Sequence, residues 1–147
     1  MLVENIMTTG ITHVGPDDTV ESLRDLLATA KYHHVPVVSE TKLVGILSDR
    51  DLAKMLSPFL GTEEQSQKDL ALLTKSVSDI MTTDLITVDR TTTVDFASIL
   101  LLENSISCLP VVDVDNKLVG LLTWKDILRY HVYCEPMPAA EEIYSAT

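Results

Sequence analysis

The chain has 147 residues, of which 46% are hydrophobic and 22% charged, a composition typical of a folded protein with a packed core. This length is enough for one domain or two small units, but too short for a catalytic domain joined to a regulatory one. The formal net charge of −11 opposes binding to phosphate backbones and anionic lipid, so we expect neither nucleic acid nor membrane as a partner.

The cysteines and the N-terminus predict a cytoplasmic protein. Cys108 and Cys134 are the only cysteines and have no CxxC spacing, so neither a disulfide framework nor a zinc site is expected. The opening MLVENIMTTG lacks the features of a signal peptide, and no run of about eighteen apolar residues follows.

The chain consists of one pattern written twice, at an offset of 74 residues. In each copy an extended piece (ITHV, LITV) precedes a helix, two β-branched runs and a second helix. The first helix of the first copy begins at Asp18 or Thr19 as cap and has apolar residues at helical spacing. These apolar residues are Val20, Leu23, Leu27 and Ala30.

Two strands, HVPVVS and KLVGILS, come next, and the second helix opens at Ser48 with Leu52, Met55 and Leu56 on one face. The second copy repeats this order with CLPVVDV, KLVGLLT and a helix opening at Thr123, where Ile127 and Leu128 are apolar. We therefore predict an α/β fold of two β-α-β-β-α repeats packed with pseudo-twofold symmetry.

The predicted boundaries are 1–56 for the first repeat, 57–76 for a linker with a short helix, 77–133 for the second repeat and 134–147 for an extended tail. The first helix of the second repeat, VDFASILLLEN, has more apolar residues than one buried stripe needs. This surplus predicts a second buried face.

The openings NIMTTGITHV and DIMTTDLITV, the apolar residue before Pro-Val-Val and the endings LVGILSDRD and LVGLLTWKD resemble the signature of cystathionine-β-synthase (CBS) domains. The resemblance covers nearly the whole chain. It implies a Bateman module, in which two such repeats form clefts that bind AMP, ADP, ATP or S-adenosylmethionine as regulatory ligands. No cofactor is required in such a module.

The resemblance implies that the ribose is held by the Ser/Thr and Asp of the final motif, namely Ser48 with Asp51 and Thr123 with Asp126. A carboxylate can accept two hydrogen bonds from vicinal hydroxyls. The alternative is helix capping, because the [ST]xxD spacing is also a capping pattern and occurs six times in the chain.

The phosphate is expected near the basic residues Arg50 and Lys125 and near His33 and His34, where the second copy has Ser107 and Cys108 instead. Solvated side chains paired with nearby acids, and surface histidines without a role, are the alternatives. The base is expected against Ile11, Thr12, His13, Val35, Pro36 and Val37 in one repeat, and against Leu85, Ile86, Thr87, Leu109, Pro110 and Val111 in the other.

Neither a metal site at the histidines nor a nucleophile at Cys108 is expected, because no further ligand or base lies at suitable spacing.

The prediction is a non-enzymatic sensor that homodimerises and signals to an effector protein in trans. Phe96, Ile99, Leu100 and Trp124 are the expected dimer contacts, although Trp124 has internal packing as an alternative. A purely structural dimerisation module and a small enzyme with an unrecognised site are the alternative functions.

Overall fold

The computed structural model describes residues 1–29 and 33–133, so the predicted helix position at Ala30 and the tail from Cys134 lie outside the described residues. In each repeat a two-stranded hairpin is preceded and followed by a helix, which confirms the α/β class. The elements are α1 (Val20–Thr29), β1 (His34–Ser39), β2 (Lys42–Ser48), α2 (Asp49–Met55), α3 (Gln67–Leu73), α4 (Val94–Glu103), β3 (Cys108–Val112), β4 (Leu118–Thr123) and α5 (Trp124–Tyr133), with 3₁₀ turns at Val3–Asn5 and Val77–Asp79.

The sheets are two antiparallel hairpins, β1 with β2 and β3 with β4. The extended segments ITHV and LITV, which precede the first helix of each repeat, each pair with the hairpin through a single residue. The Val14 amide donates to the Pro36 carbonyl at 3.1 Å, and the Val14 carbonyl accepts from the Val38 amide at 2.8 Å. Val88 forms the same parallel bridge to Val111. A turn begins two residues after each bridge, so the expected first strand is shortened to this single contact.

Helix starts follow the capping pattern of the sequence. The Ser22 amide donates to the Thr19 hydroxyl at 3.2 Å, so Thr19 caps α1. Ser66 and Asp69 form a reciprocal capping box at the start of α3, which lies in the segment expected to link the repeats. Within the described ranges, no helix has both the length and the apolar character to cross a bilayer.

The chain divides into two compact units that cut across the sequence repeats. The first-repeat unit is Thr12–Leu85, and the second-repeat unit combines Met1–Ile11 with Ile86–Thr147. Each unit therefore contains the body of one repeat and the leading segment of the other. Val3 and Ile6 accordingly belong to the core of the second-repeat unit, and Val77 belongs to the core of the first-repeat unit.

Apolar residues of the helices and hairpins fill the two cores. Leu52 is buried as predicted, whereas Met55 and Leu128, expected on apolar helix faces, are 38% and 52% exposed. The core of the first-repeat unit consists of Val14, Val20, Leu23, Val35, Val37, Leu47, Leu52, Leu73 and Val77. The core of the second-repeat unit consists of Val3, Ile6, Val88, Val94, Ala97, Leu101, Leu109, Val111 and Leu122.

A methionine packed on a glycine closes each unit. In the second-repeat unit Thr8 pairs with Leu121 through two backbone hydrogen bonds of 2.9 Å, and this pairing lays Met7 over Gly120. A Cβ at Gly120 would lie 2.6 Å from the Met7 Sδ and 3.0 Å from the Thr8 carbonyl oxygen. The Gly of each LVG run is thus required because the segment from the other repeat crosses directly above it.

The first-repeat unit uses the same arrangement. Thr82 and Ile46 exchange two backbone hydrogen bonds of 3.0 Å, and Met81 covers Gly45. Here the three atoms nearest to a Cβ on the glycine would all belong to the Met81 side chain, at 2.4–3.1 Å. The obstacle at Gly45 is therefore a flexible side chain, whereas at Gly120 it includes backbone.

We predict that Gly45→Ala and Gly120→Ala each lower the free energy of unfolding by about 1–3 kcal/mol, because each overfills a close contact. In urea unfolding, adding Met81→Ala to Gly45→Ala should recover part of that loss. Adding Met7→Ala to Gly120→Ala should recover less, because the Thr8 carbonyl remains in place. Wild-type stability in both single variants would contradict the closing role of these contacts.

Candidate functional site

The first candidate ribose motif lies where β2 passes into α2. Ser48 is the last residue of β2 and caps α2, with its hydroxyl accepting from the Asp51 amide at 3.0 Å. Asp51 is half-buried, and its carboxylate accepts no hydrogen bond from any residue in the described ranges. Capping therefore uses the Asp51 backbone and leaves its side chain available as an acceptor.

The second candidate motif, where β4 passes into α5, is occupied by its own hydrogen bonds. The Asp126 Oδ2 accepts from the Thr123 amide at 2.8 Å and from the Thr123 hydroxyl at 3.2 Å. The Thr8 hydroxyl donates to the Asp126 Oδ1 at 3.4 Å. Asp126 is only 3% exposed. In this unit the aspartate therefore caps the start of its own helix, as the alternative interpretation of the motif expected.

Burial also changes the acidity of Asp126. Removal from water raises the pKa of its carboxyl, and this effect exceeds the opposing hydrogen bonds from Thr123 and Thr8 and the charge of Arg129. Asp126 is thus an internal, satisfied group. Of the two aspartates, only Asp51 offers an open carboxylate.

The histidine pair of the first repeat contacts the helix beside this motif. His33 Nδ1 lies 2.7 Å from Asp49 Oδ2, and the Asp49 amide donates to the His33 carbonyl at 2.9 Å. Burial disfavours the charged form of Asp49, but the hydrogen bonds from His33 and from the Arg50 amide outweigh burial and lower the pKa of the carboxyl.

His34 is half-buried and lies within the electrostatic range of both carboxylates of α2. Burial lowers the pKa of His34 below its usual range. The negative charges of Asp49 and Asp51 act in the opposite direction, and His33 adds to the lowering. His34 is therefore a neutral ring at neutral pH.

The two basic residues of the motifs are exposed. Within the described residues neither Arg50 nor Lys125 forms an ion pair, although the sequence offered acidic neighbours to both. The Lys125 ammonium lies 6.0 Å from the centre of the Trp124 ring. Both cations are thus accessible to an anion.

The predicted base-contacting residues divide between exposed and buried positions. Thr12 and His13 are exposed, whereas the side chains of Val35, Pro36 and Val37 are buried in the core, which leaves only their backbone for a ligand. In the second-repeat unit Leu109, Pro110 and Val111 are likewise buried, and Ile86 and Thr87 are half-buried. Ile11 and Leu85 belong to the opposite unit from the other members of their sets.

Among the described residues, Cys108 was considered as a nucleophile and the histidines as metal ligands. Cys108 is buried, and desolvation together with the charge of Asp126 raises the pKa of its thiol to about 12, so its thiolate is scarce at neutral pH. Across the residues that the structure describes, no group of three metal-ligating side chains comes together.

Two contacts beside the candidate motifs were not predicted from the sequence. One is the Thr8 hydroxyl on Asp126, and the other is the pairing of His33 with Asp49. A signal for the second existed, because the two copies differ at both positions together: Ser107 replaces His33, and Trp124 replaces Asp49.

The expected dimer residues lie on α4 and α5 of the second-repeat unit. Phe96, Ile99 and Trp124 are 55%, 54% and 50% exposed, whereas Leu100 packs partly against its own core. Leu102, Leu128 and Val132 are further exposed apolar residues on these helices. We call Phe96, Ile99, Leu102, Trp124, Leu128 and Val132 the apolar face.

Comparison with known proteins identifies the family of this fold. The family model described as "CBS domain" matches residues 3–58 and 77–133. The chain is 35% identical to inosine-5'-monophosphate dehydrogenase of Thermoplasma acidophilum over 85% of the chain, but spans only 22% of that enzyme's length. The first curated relatives are all much longer than the matched region, which covers 22–24% of them.

Several solved structures match over nearly their full length, and two of them contain bound ligands of known identity. CBSX2 of Arabidopsis thaliana in complex with AMP has a TM-score of 0.76 and 32% identity, covering 90% of this chain and 97% of the other. The CBS domain pair of protein MJ0100, in complex with 5'-methylthioadenosine and S-adenosyl-L-methionine, has a TM-score of 0.74 and 29% identity, covering 92% and 98%. The chain therefore belongs to the CBS domain family, as a tandem pair of CBS domains.

Proposed function

We propose that this protein is a regulatory module that binds an adenosyl ligand through Ser48 and Asp51. The observation that supports this most directly is the open Asp51 carboxylate beside a capped helix start. A carboxylate with both oxygens available can accept from the two vicinal hydroxyls of a ribose. Of the similar structures, one is a complex with AMP and another a complex with 5'-methylthioadenosine and S-adenosyl-L-methionine, and these ligands share an adenosyl group.

The remaining contacts of the proposed site come from the same unit. Thr12 and His13 are exposed and can contact the base, together with backbone groups from Val35 to Val37. Arg50, His33 and His34 are the proposed neighbours of a phosphate or other 5' substituent. In the second-repeat unit the corresponding contacts are Thr123, Lys125 and Asp126, but ligand binding there requires Asp126 to leave its present hydrogen bonds.

The proposed role is regulation and not catalysis. Enzymes match this chain through a region that makes up about a quarter of their length or less, which fits a module that enzymes acquire for control. We propose that ligand binding is passed to an effector protein in trans and that the ligand is a signal, with no cofactor required.

Homodimerisation through the apolar face is the second part of the proposal. Phe96 and Ile99 occupy positions where the first repeat has Ser22 and Asp25, so only one of the two equivalent helices has an apolar exposed side. A cluster of this kind on a chain with net charge −11 is best explained by burial against a second copy.

Asp51→Ala is expected to weaken AMP binding at least tenfold in titration calorimetry, because hydrogen bonds to a charged acceptor contribute about 1.5–3 kcal/mol each. Its stability without ligand should stay within about 0.5 kcal/mol of wild type, since no hydrogen bond from a described residue to the Asp51 carboxylate is lost.

Asp126→Ala is the matched comparison. It should lower the free energy of unfolding by about 1–3 kcal/mol, because it removes the acceptor for Thr123 and Thr8, while AMP binding to the folded protein persists. If Asp126→Ala abolished binding and Asp51→Ala left it intact, the proposed site would be assigned to the wrong unit.

Ile99→Glu is expected to convert the dimer to a monomer in light scattering, because an unpaired carboxylate would be buried at the interface. Asp25→Arg changes charge at the equivalent position of α1 and should leave the mass unchanged. A dimer that survives Ile99→Glu, or one lost with Asp25→Arg, would place the interface elsewhere.

A further inference from the structure

The methionines of the chain differ in what their side chains contact. Of the five, Met1 and Met55 are 53% and 38% exposed. Met7 and Met81 are partly buried and pack against the cores of their units, where each covers the glycine of an LVG run. The fifth, Met137, lies outside the described residues. Among the described methionines, only Met7 and Met81 therefore place a thioether in a contact that closes a unit.

The sulfur itself lies over each glycine. The atom nearest to a Cβ built on Gly120 would be the Met7 Sδ, at 2.6 Å, and the atom nearest to a Cβ built on Gly45 would be the Met81 Sδ. A thioether is apolar and polarizable, so it fills such a gap without needing a hydrogen bond. Each contact therefore depends on the sulfur remaining a thioether.

The backbone amides beside each sulfur are already hydrogen-bonded. In the second-repeat unit the amides of Thr8 and Leu121 donate to each other's carbonyls at 2.9 Å, and the Met7 amide donates to the Val3 carbonyl at 2.9 Å. The first-repeat unit has the same pattern of bonds around Met81. An oxygen added to either sulfur would find no free donor among these amides.

We infer that Met7 and Met81 are oxidation sites, and that conversion of their thioethers to sulfoxides opens the units that they close. The oxidant is a peroxide: its O–O bond breaks, the sulfur loses two electrons and gains one oxygen, and the remainder leaves as water or an alcohol. A sulfoxide oxygen held over the glycine is buried without a donor, which is unfavourable. It reaches water only if the side chain turns outward, and that movement uncovers the glycine.

Opening acts on the backbone bridge that follows each methionine. Thr8 follows Met7, and its hydroxyl also donates to the Asp126 carboxylate at 3.4 Å, so oxidation of Met7 weakens both contacts. Thr82 follows Met81 and forms the corresponding bridge in the first-repeat unit. Methionine sulfoxide reductases return the sulfoxide to the thioether, so the change is reversible. This inference does not depend on the proposed ligand.

The test is treatment of the folded full chain with hydrogen peroxide, followed by peptide mass mapping and thermal unfolding. We expect sulfoxides to form first at the exposed Met1 and Met55 and then at Met7 and Met81. Conversion of the second pair should lower the melting temperature by about 5 °C or more, because two buried apolar contacts become polar. Reduction by methionine sulfoxide reductases A and B should restore it.

The double variant Met7→Leu with Met81→Leu is the matched control. Leucine keeps an apolar volume similar to that of methionine but has no sulfur to oxidise. The variant retains the other three methionines and both cysteines, so it also reports any effect of oxidation at those residues. Peroxide should leave its melting temperature unchanged.

Single substitutions assign the effect to one unit, and they also carry the test if the double variant does not fold. With Met81→Leu, oxidation of Met7 should speed amide hydrogen exchange at Thr8 and Leu121. With Met7→Leu, exchange should instead rise at the corresponding bridge of the first-repeat unit. Sulfoxides at both sites without a fall in melting temperature, or an equal fall in the control, would overturn the inference. So would Met7 and Met81 that stay unmodified long after Met55 is fully converted.

Discussion

In each unit a methionine side chain packs on a glycine in the second strand of the hairpin, and the rest of the structure depends on this contact. Met7 covers Gly120 and Met81 covers Gly45, and in both cases the next residue forms a two-bond backbone bridge to the strand. Without a side chain on the glycine, the crossing segment approaches near enough for that bridge. Each compact unit is therefore completed by the opening residues of the other repeat, and neither repeat is a complete folding unit by itself.

The same contact determines the state of the second binding motif. Because Thr8 follows Met7, closing the second-repeat unit brings the Thr8 hydroxyl to the Asp126 carboxylate, which then has no oxygen without a donor. Thr82 occupies the equivalent place in the first-repeat unit and bridges to Ile46, yet among the described residues no donor reaches the Asp51 carboxylate. One motif thus supports its helix, whereas the other retains an open acceptor.

The local sequence pattern predicted the helices and their caps, but not the exposure of Met55 and Leu128 or the shortening of the first strand to one bridge. Helical spacing located the helices, and the hydroxyl residues Thr19, Ser48 and Ser66 were expected or available as caps and act as caps. Aligning the chain with itself at an offset of 74 residues shows that the two copies are alike. It does not show that the opening segment of each copy packs in the unit of the other, because pairing between distant segments leaves no local periodicity. The division into Thr12–Leu85 and its counterpart was unpredictable for this reason.

For the candidate site, the sequence predicted the position of both motifs but not the hydrogen bonding of their aspartates. The identical [ST]xxD pattern located both motifs, but the pattern cannot show whether an aspartate points into its own cap or stays open, because burial and the distant Thr8 decide that. His33 and Asp49 are sixteen residues apart, and their contact depends on the β1–β2 hairpin bringing His34 opposite Ser48. Only comparison of the two copies position by position indicates that these residues change together.

The most direct test of this account is a titration of the ¹⁵N-labelled full chain with adenosine, followed through its backbone amide resonances. We predict saturable shifts that concentrate at His13 and from Ser48 to Asp51, with little change at Thr123 and Asp126. Shifts centred on Thr123 and Asp126, with none around Asp51, would contradict the proposed site, because they would show that the ligand binds at the Thr123–Asp126 motif and not at the Ser48–Asp51 motif.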